Sequence, residues 1–163
     1  ASELGCDVLL AGQGADELFG GYYKYLTQYA QGGLERVREA LYHDTVRSYE
    51  VNFQRDEPVC AFHGVDLRLP FCDIEIVRYA LSLPLSLKIE SAQDKLRKRI
   101  LRRLAAGMGL PESIANKPKK AVQFATGIDR ALRLLAKKQS LTPRTYIEKV
   151  FRQVYPSREV KIN

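Results

Sequence analysis

Asp7-Val8-Leu9-Leu10-Ala11-Gly12-Gln13-Gly14-Ala15-Asp16-Glu17-Leu18-Phe19-Gly20-Gly21-Tyr22 is the stretch that decides the fold. Its first five residues form a short apolar run that reads as a buried strand. Gly12-Gln13-Gly14 breaks the run, and Ala15 to Tyr25 read as a helix. Asp16 and Glu17 fall in the first turn, where the helix dipole favours carboxylates. A strand that ends in Gly-x-Gly lets backbone amides approach an anion closely, and a helix N-terminus adds free N–H groups. In parallel α/β folds ligands gather at this carboxyl end of the strands. Asp16 and Glu17 repel a phosphate directly and make sense beside one if Mg²⁺ bridges them to it. The same residues also serve a plain strand-to-helix turn. The spacing fits neither a dinucleotide-binding fingerprint nor a Walker A loop.

Outward from this stretch the pattern turns helical. Ser2 to Gly5 reads as the tail of a helix stopped by glycine. Leu34, Val37, Leu41, Thr45, Val46 and Tyr49 share a helix face. A short helix with a turn is expected from Arg55 to Gly64. Val65 to Phe71 is extended, because Pro70 biases Leu69 away from helix. Asp73 caps a helix over Ile74 to Leu83, stopped by Pro84. Asp94 is expected to cap another through Ala105, with Lys95, Arg97, Lys98, Arg99, Arg102 and Arg103 on its outer face. Gly107 and Gly109 end it, and Pro111 starts a short helix. Asn116 to Lys120 is a basic loop, followed by helices over Ile128 to Lys138 and Pro143 to Val154. One clear strand and six or seven helical pieces make the chain mostly helical.

The 163 residues amount to about one domain, and 45% apolar content supplies a core. No apolar run approaches the roughly 20 residues of a membrane span, and the first residues lack the basic start of a secretory signal. Cys6, Cys60 and Cys72 form neither a disulfide framework nor a zinc motif, so a cytoplasmic setting is expected. The net charge of +7 hides a division: residues 1–80 carry 7 Lys or Arg against 13 Asp or Glu, and residues 81–163 carry 19 against 6. A basic half suits phosphates or an acidic neighbour. Nucleic acid ranks last as a partner, since no nucleic-acid module is recognisable.

Two further segments carry possible chemistry. Arg68 sits in an apolar extended run between Leu67 and Leu69. There it pairs a carboxylate of the protein or orients one of a ligand. Lys117-Pro118-Lys119-Lys120 either stabilises charge on a departing pyrophosphate or is an exposed, solvated loop. Tyr22, Tyr25 and Tyr29 read as packing at helical spacing. His43 and His63 show no metal or triad partners.

Taken in order, these segments resemble the asparagine synthetase family of ATP-dependent amidotransferases. Ala11–Tyr22 is similar to that family's S-G-[ED]-G-[SA]-D-E-[LV]-F-G-G-Y. Gly64–Asp73 is similar to G-[VM]-E-x-R-x-P-F-L-D, and Lys117–Val122 to R-x-K-x-x-F. The resemblance implies an α/β fold of the adenine-nucleotide α-hydrolase type, here a mostly helical C-terminal fragment of the synthetase domain over residues 1–163. It implies activation of a carboxylate, aspartate in the family, as an acyl-adenylate by ATP and Mg²⁺, then attack by ammonia, free or drawn from glutamine. Asp16 matches the acidic residue near Mg²⁺ and pyrophosphate, with Glu17 beside it. Lys119 matches the lysine that contacts phosphates, with Lys120 one place away. Arg68 matches an active-site arginine, and Gly12 and Gly14 the loop glycines.

Three departures stand beside the resemblance. Gln13 replaces the acidic residue that is a candidate base for ammonia, and an amide is no base. The S-G-G-x-D-S loop that grips ATP in the family is missing, as is the glutaminase domain with its N-terminal cysteine. The expectation is a partner chain or domain carrying that half, and no turnover by this chain alone. The alternative is a non-catalytic interaction module that keeps the family scaffold.

Overall fold

The computed structural model describes residues 1–119 and 122–155, in two compact units, 1–119 and 120–163. In the first unit a turn of 3-10 helix, Ser2–Leu4, ends at Gly5 with φ 66. Two strands follow the expectation in part. β1 is Val8–Leu10 and β2 is Asp66–Arg68. They pair in parallel, with Val8 opposite Asp66, Leu9 opposite Leu67 and Leu10 opposite Arg68. The run before Pro70 is therefore a second strand, which corrects the single strand expected from sequence. Proline forces extended backbone on Leu69, and parallel pairing consumes the preceding residues.

The helices of this unit are α1 (Ala15–Phe19), α2 (Lys24–Val46), α3 (Gln54–Phe62), α4 (Ile74–Ser82), α5 (Arg99–Gly107) and α6 (Glu112–Ala115). Ala15 to Tyr25 is not one helix. Gly20 takes φ 71, and the chain turns before α2 begins. α2 itself breaks at Gly32–Gly33, where Gly33 has φ 64. A π-helical turn, Tyr49–Phe53, leads into α3. α4 starts where expected: Asp73 Oδ1 accepts the N–H of Glu75 at 2.9 Å and of Ile76 at 3.4 Å.

α5 starts at Arg99, four residues later than a cap at Asp94 implies. The Asp94 carboxylate caps a non-helical loop instead, accepting the N–H of Leu96 at 3.0 Å and of Arg97 at 3.1 Å. The cationic run is consequently no solvated helix face. Lys95 to Lys98 precede the helix, and Arg99 and Arg102 turn inward to partners.

Two buried clusters hold the unit. Tyr25, Leu26, Val37, Leu41, Leu85 and Ile89 form one, and Ala15, Leu18, Phe19 and Ala80 form the other, with Phe71, Ile100 and Leu101 packed on it. Val37 and Leu41 of the expected α2 face are buried, whereas Leu34, Val46 and Tyr49 are exposed. β1 reads as a buried strand, yet Val8, Leu9 and Leu10 are 50%, 41% and 71% exposed.

The second unit contains α7 (Val122–Ala125), α8 (Ile128–Lys138) and α9 (Pro143–Val154). α8 and α9 match expectation, and α7 was not anticipated. Thr142 caps α9 by accepting the N–H of Thr145 at 3.2 Å, with Pro143 in the first turn, where its missing N–H costs nothing. Among the described residues no helix is long and apolar enough to cross a membrane.

Candidate functional site

The carboxyl ends of the paired strands lead into the glycine turn. Ala11 N–H donates to the Arg68 carbonyl at 3.0 Å, which fixes where Gly12 begins. A Cβ on Gly12 would meet nothing within 4 Å, so this backbone faces open space. Gly14 is different: φ is 85, and a Cβ would fall 2.8 Å from Cys72 Sγ. Only glycine fits both demands. The turn thus docks on the segment that follows Pro70, and Cys72 Sγ lies 3.8 Å from the Gln13 carbonyl.

α1 is five residues long and follows Gly14 directly. The anion-attracting charge comes from side chains. Asp16 Oδ1 lies 2.7 Å from Lys98 Nζ, and Asp16 Oδ2 lies 2.7 Å from Lys119 Nζ. The three side chains are 24%, 22% and 26% exposed, half-sheltered yet reachable. Burial opposes ionisation of Asp16, but the Lys119 and Lys98 ammonium groups outweigh it and hold the carboxyl below the usual range. One carboxylate between two ammonium groups leaves the cluster with a net positive charge.

Tyr22 forms the floor. Lys119 Nζ sits 4.9 Å from its ring centroid, within cation–π range. The Tyr22 hydroxyl donates to Glu17 Oε1 at 2.5 Å, and Asn52 Nδ2 donates to the same oxygen at 3.0 Å. Burial and the hydrogen bond to Glu17 push the Tyr22 phenol up. Glu17 is buried and accepts from both of these partners. Tyr22 also lines a cavity of about 330 Å³, with Glu17, Lys24, Asp44, Arg47 and Asn52.

The structure brings Asp16 and Lys119 together across a hundred residues of chain. It gives Arg68 a different neighbour: its guanidinium pairs with Asp66 at 2.6 Å, both side chains exposed. The Gln13 amide donates to Asp56, a carboxylate contributed by α3, and its buried Oε1 has no hydrogen-bond partner. Lys120 lies outside the described residues. Lys98 was missed as a site residue, because a cationic run beside an apolar periodicity reads as the outer face of a helix. The late start of α5 is what frees it to turn inward.

Among the described residues no group of three or more His, Cys, Asp or Glu side chains assembles a metal site. Both oxygens of Asp16 are paired with ammonium groups.

Comparison with known proteins agrees with the motifs. The asparagine synthase family model matches residues 1–33 and 27–160. The chain is 35% identical, over 85% of its length and 31% of the relative's, to a putative glutamine-hydrolysing asparagine synthetase of Methanocaldococcus jannaschii. It is 37% identical, over 74% of its length and 20% of the relative's, to asparagine synthetase domain-containing protein 1 of Mus musculus. It is 33% identical to glutamine-hydrolysing asparagine synthetase of Rattus norvegicus, again over 74% of this chain and 20% of the relative. It spans a third or less of these relatives. On this match the chain belongs to the asparagine synthase family.

Proposed function

We propose that the chain forms the pyrophosphate-handling part of an ATP-dependent synthetase that activates a carboxylate, with aspartate the first candidate, for attack by ammonia. The observation that carries this reading is the Asp16 carboxylate held between Lys98 and Lys119 beside an open glycine turn, in a chain of this family. ATP supplies the activating adenylyl group, and Mg²⁺ offsets the charge of its phosphates when bound. Asp16 would hold the metal, and the lysines would stabilise negative charge growing on the leaving pyrophosphate. Tyr22 keeps the Lys119 ammonium over its ring and limits its rotation.

Gln13 accepts no proton at neutral pH, so ammonia must lose its proton to water or another group. Asp56, hydrogen-bonded to Gln13, is the adjacent carboxylate. The exposed strand β1 supports a partner chain or domain that completes the sheet and supplies an ATP-binding loop. A non-catalytic module is the second reading, and the amide at Gln13 is what favours it.

The test is reconstitution with a chain bearing the S-G-G-x-D-S loop. Aspartate- and ATP-dependent pyrophosphate release is expected, lost in Lys119→Ala and Asp16→Ala without loss of assembly. Release that is unaffected by both substitutions, or no release from an assembled pair with any carboxylate and ammonia, overturns the enzyme reading.

A further inference from the structure

We infer that the cavity between the second half of α2 and the end of α4 with its following turn binds a small monocarboxylate with an apolar body, the carboxylate held by Lys88 and Arg38. This site stands apart from the function proposed above, since none of its lining residues belongs to the Asp16 cluster. The cavity has a volume of about 320 Å³, and Leu41, Leu81, Leu83 and Leu85 form its apolar wall. Small-molecule pockets of this size are built in the same way, from apolar walls with a few charged or polar groups that fix orientation.

Lys88 is the group that calls for a ligand. Pro84 ends α4, and a 3-10 turn, Leu85–Leu87, follows. Lys88 N–H donates to the Leu85 carbonyl at 2.9 Å, and the Lys88 carbonyl accepts the Arg99 N–H at 3.2 Å. Leu85 and Ile89 are anchored in the buried cluster of Tyr25 and Leu41. The backbone is thus held on both sides of Lys88, and the residue is only 1% exposed. A lysine so enclosed ordinarily snorkels to water or meets a carboxylate, because a buried ammonium without an anion is costly. Among the described residues this ammonium has no hydrogen-bond or ion-pair partner. Burial, and then the Arg38 guanidinium, push its pKa down to about 8, so the charged form still dominates at neutral pH.

The remaining charges leave it unanswered. Arg38 pairs with Glu35 at 3.4 Å, both side chains exposed, and Glu39 of the lining pairs with neither cation. An arriving carboxylate neutralises the ammonium and offsets its repulsion from Arg38, while an apolar body covers the leucines. Phosphate suits the cavity less, since it brings more charge and stronger hydration to a wall of four leucines.

The experiment titrates the full chain with octanoate by calorimetry, beside octan-1-ol, acetate and inorganic phosphate. Octanoate is expected to bind about tenfold or more tighter than octanol, which lacks the charge, and than acetate, which lacks the body. Phosphate is expected not to displace it. Lys88→Met keeps the length of the side chain, so it should weaken octanoate about tenfold or more, the scale of one charge-assisted hydrogen bond, with no fall in the denaturant midpoint. Arg38→Ala, at an exposed position, should weaken it less. In the unaltered chain octanoate should protect Lys88 from reductive methylation, read by peptide mass spectrometry, a measurement that needs no variant. No binding of octanoate, equal affinity for octanoate and octanol, displacement by phosphate, unchanged affinity in Lys88→Met, or undiminished methylation of Lys88 under saturating octanoate each overturns the carboxylate site. Unchanged affinity in Arg38→Ala overturns the role of Arg38.

Discussion

Gly21 lies so close to Asp16 that a Cβ built on it would fall 1.7 Å from the carboxylate oxygen Oδ1. The same methyl would overlap Lys98. Gly21→Ala therefore has to displace the carboxylate and one of its two ammonium partners. A loss of about 1–3 kcal/mol is expected, the usual cost of overpacking a tight site, read as a lowered denaturant midpoint. Pyrophosphate release in the reconstituted enzyme should fall with it.

Asp16 also makes stability depend on pH. Its folded pKa lies below the ordinary value because the two lysines favour the charged form over the opposing effect of burial. The contribution is then fully present above the unfolded pKa of about 3.9 and is lost as pH falls through the folded value. Unfolding midpoints of the unaltered chain and Asp16→Asn should differ at neutral pH and draw together in acid. A constant difference through the acid range would contradict this.

Asp94 joins four partners with a nearly inaccessible side chain: the N–H groups of Glu90, Leu96 and Arg97, and Arg99 Nε at 2.7 Å. Burial opposes its ionisation, but Arg99 and the backbone N–H groups hold the carboxyl below its usual range. Asp94→Ala leaves these donors unpaired and lets Arg97 and Lys98 relax from their left-handed geometry, with φ 53 and φ 49. A loss of about 2–4 kcal/mol is expected by chemical denaturation.

The loop chemistry was only partly legible in the sequence. The glycine turn, the Asp73 cap and the helices at 128–138 and 143–154 are local signals: turn residues, an N-cap and helical periodicity. Each is satisfied within a few residues of chain. The site is not local. Asp94 has the look of a helix cap, and nothing within its neighbourhood says that its carboxylate closes a strained loop rather than a first turn. Lys98 reads as a surface cation until Gly21 and Asp16 are seen beside it. The second strand was hidden for a similar reason: Asp66-Leu67-Arg68 alternates like an exposed strand, and parallel pairing is decided by β1, more than fifty residues earlier.

Lys88 offers a test far from this chemistry. It is buried in the Tyr25–Leu41 region beside Leu85 and lines a cavity of about 320 Å³ with Arg38 and Leu83. Burial, with Arg38 nearby, pushes its pKa down to about 8. The unfolded chain binds the proton up to about 10.4, so stability rises with pH between these values. Lys88→Met keeps the stem, removes that rise and should stabilise the chain at neutral pH by on the order of 1–3 kcal/mol. A lower thermal midpoint in the variant would count against it.

The open flank of β1 has a practical consequence. Val8, Leu9 and Leu10 present apolar side chains to water from a strand that, among the described residues, is paired on one side only. Attraction between such surfaces strengthens on warming, because apolar hydration has a large heat capacity. Samples of this chain kept cold should stay dispersed longest, and mild heating should drive strand-to-strand self-association well before the helices melt.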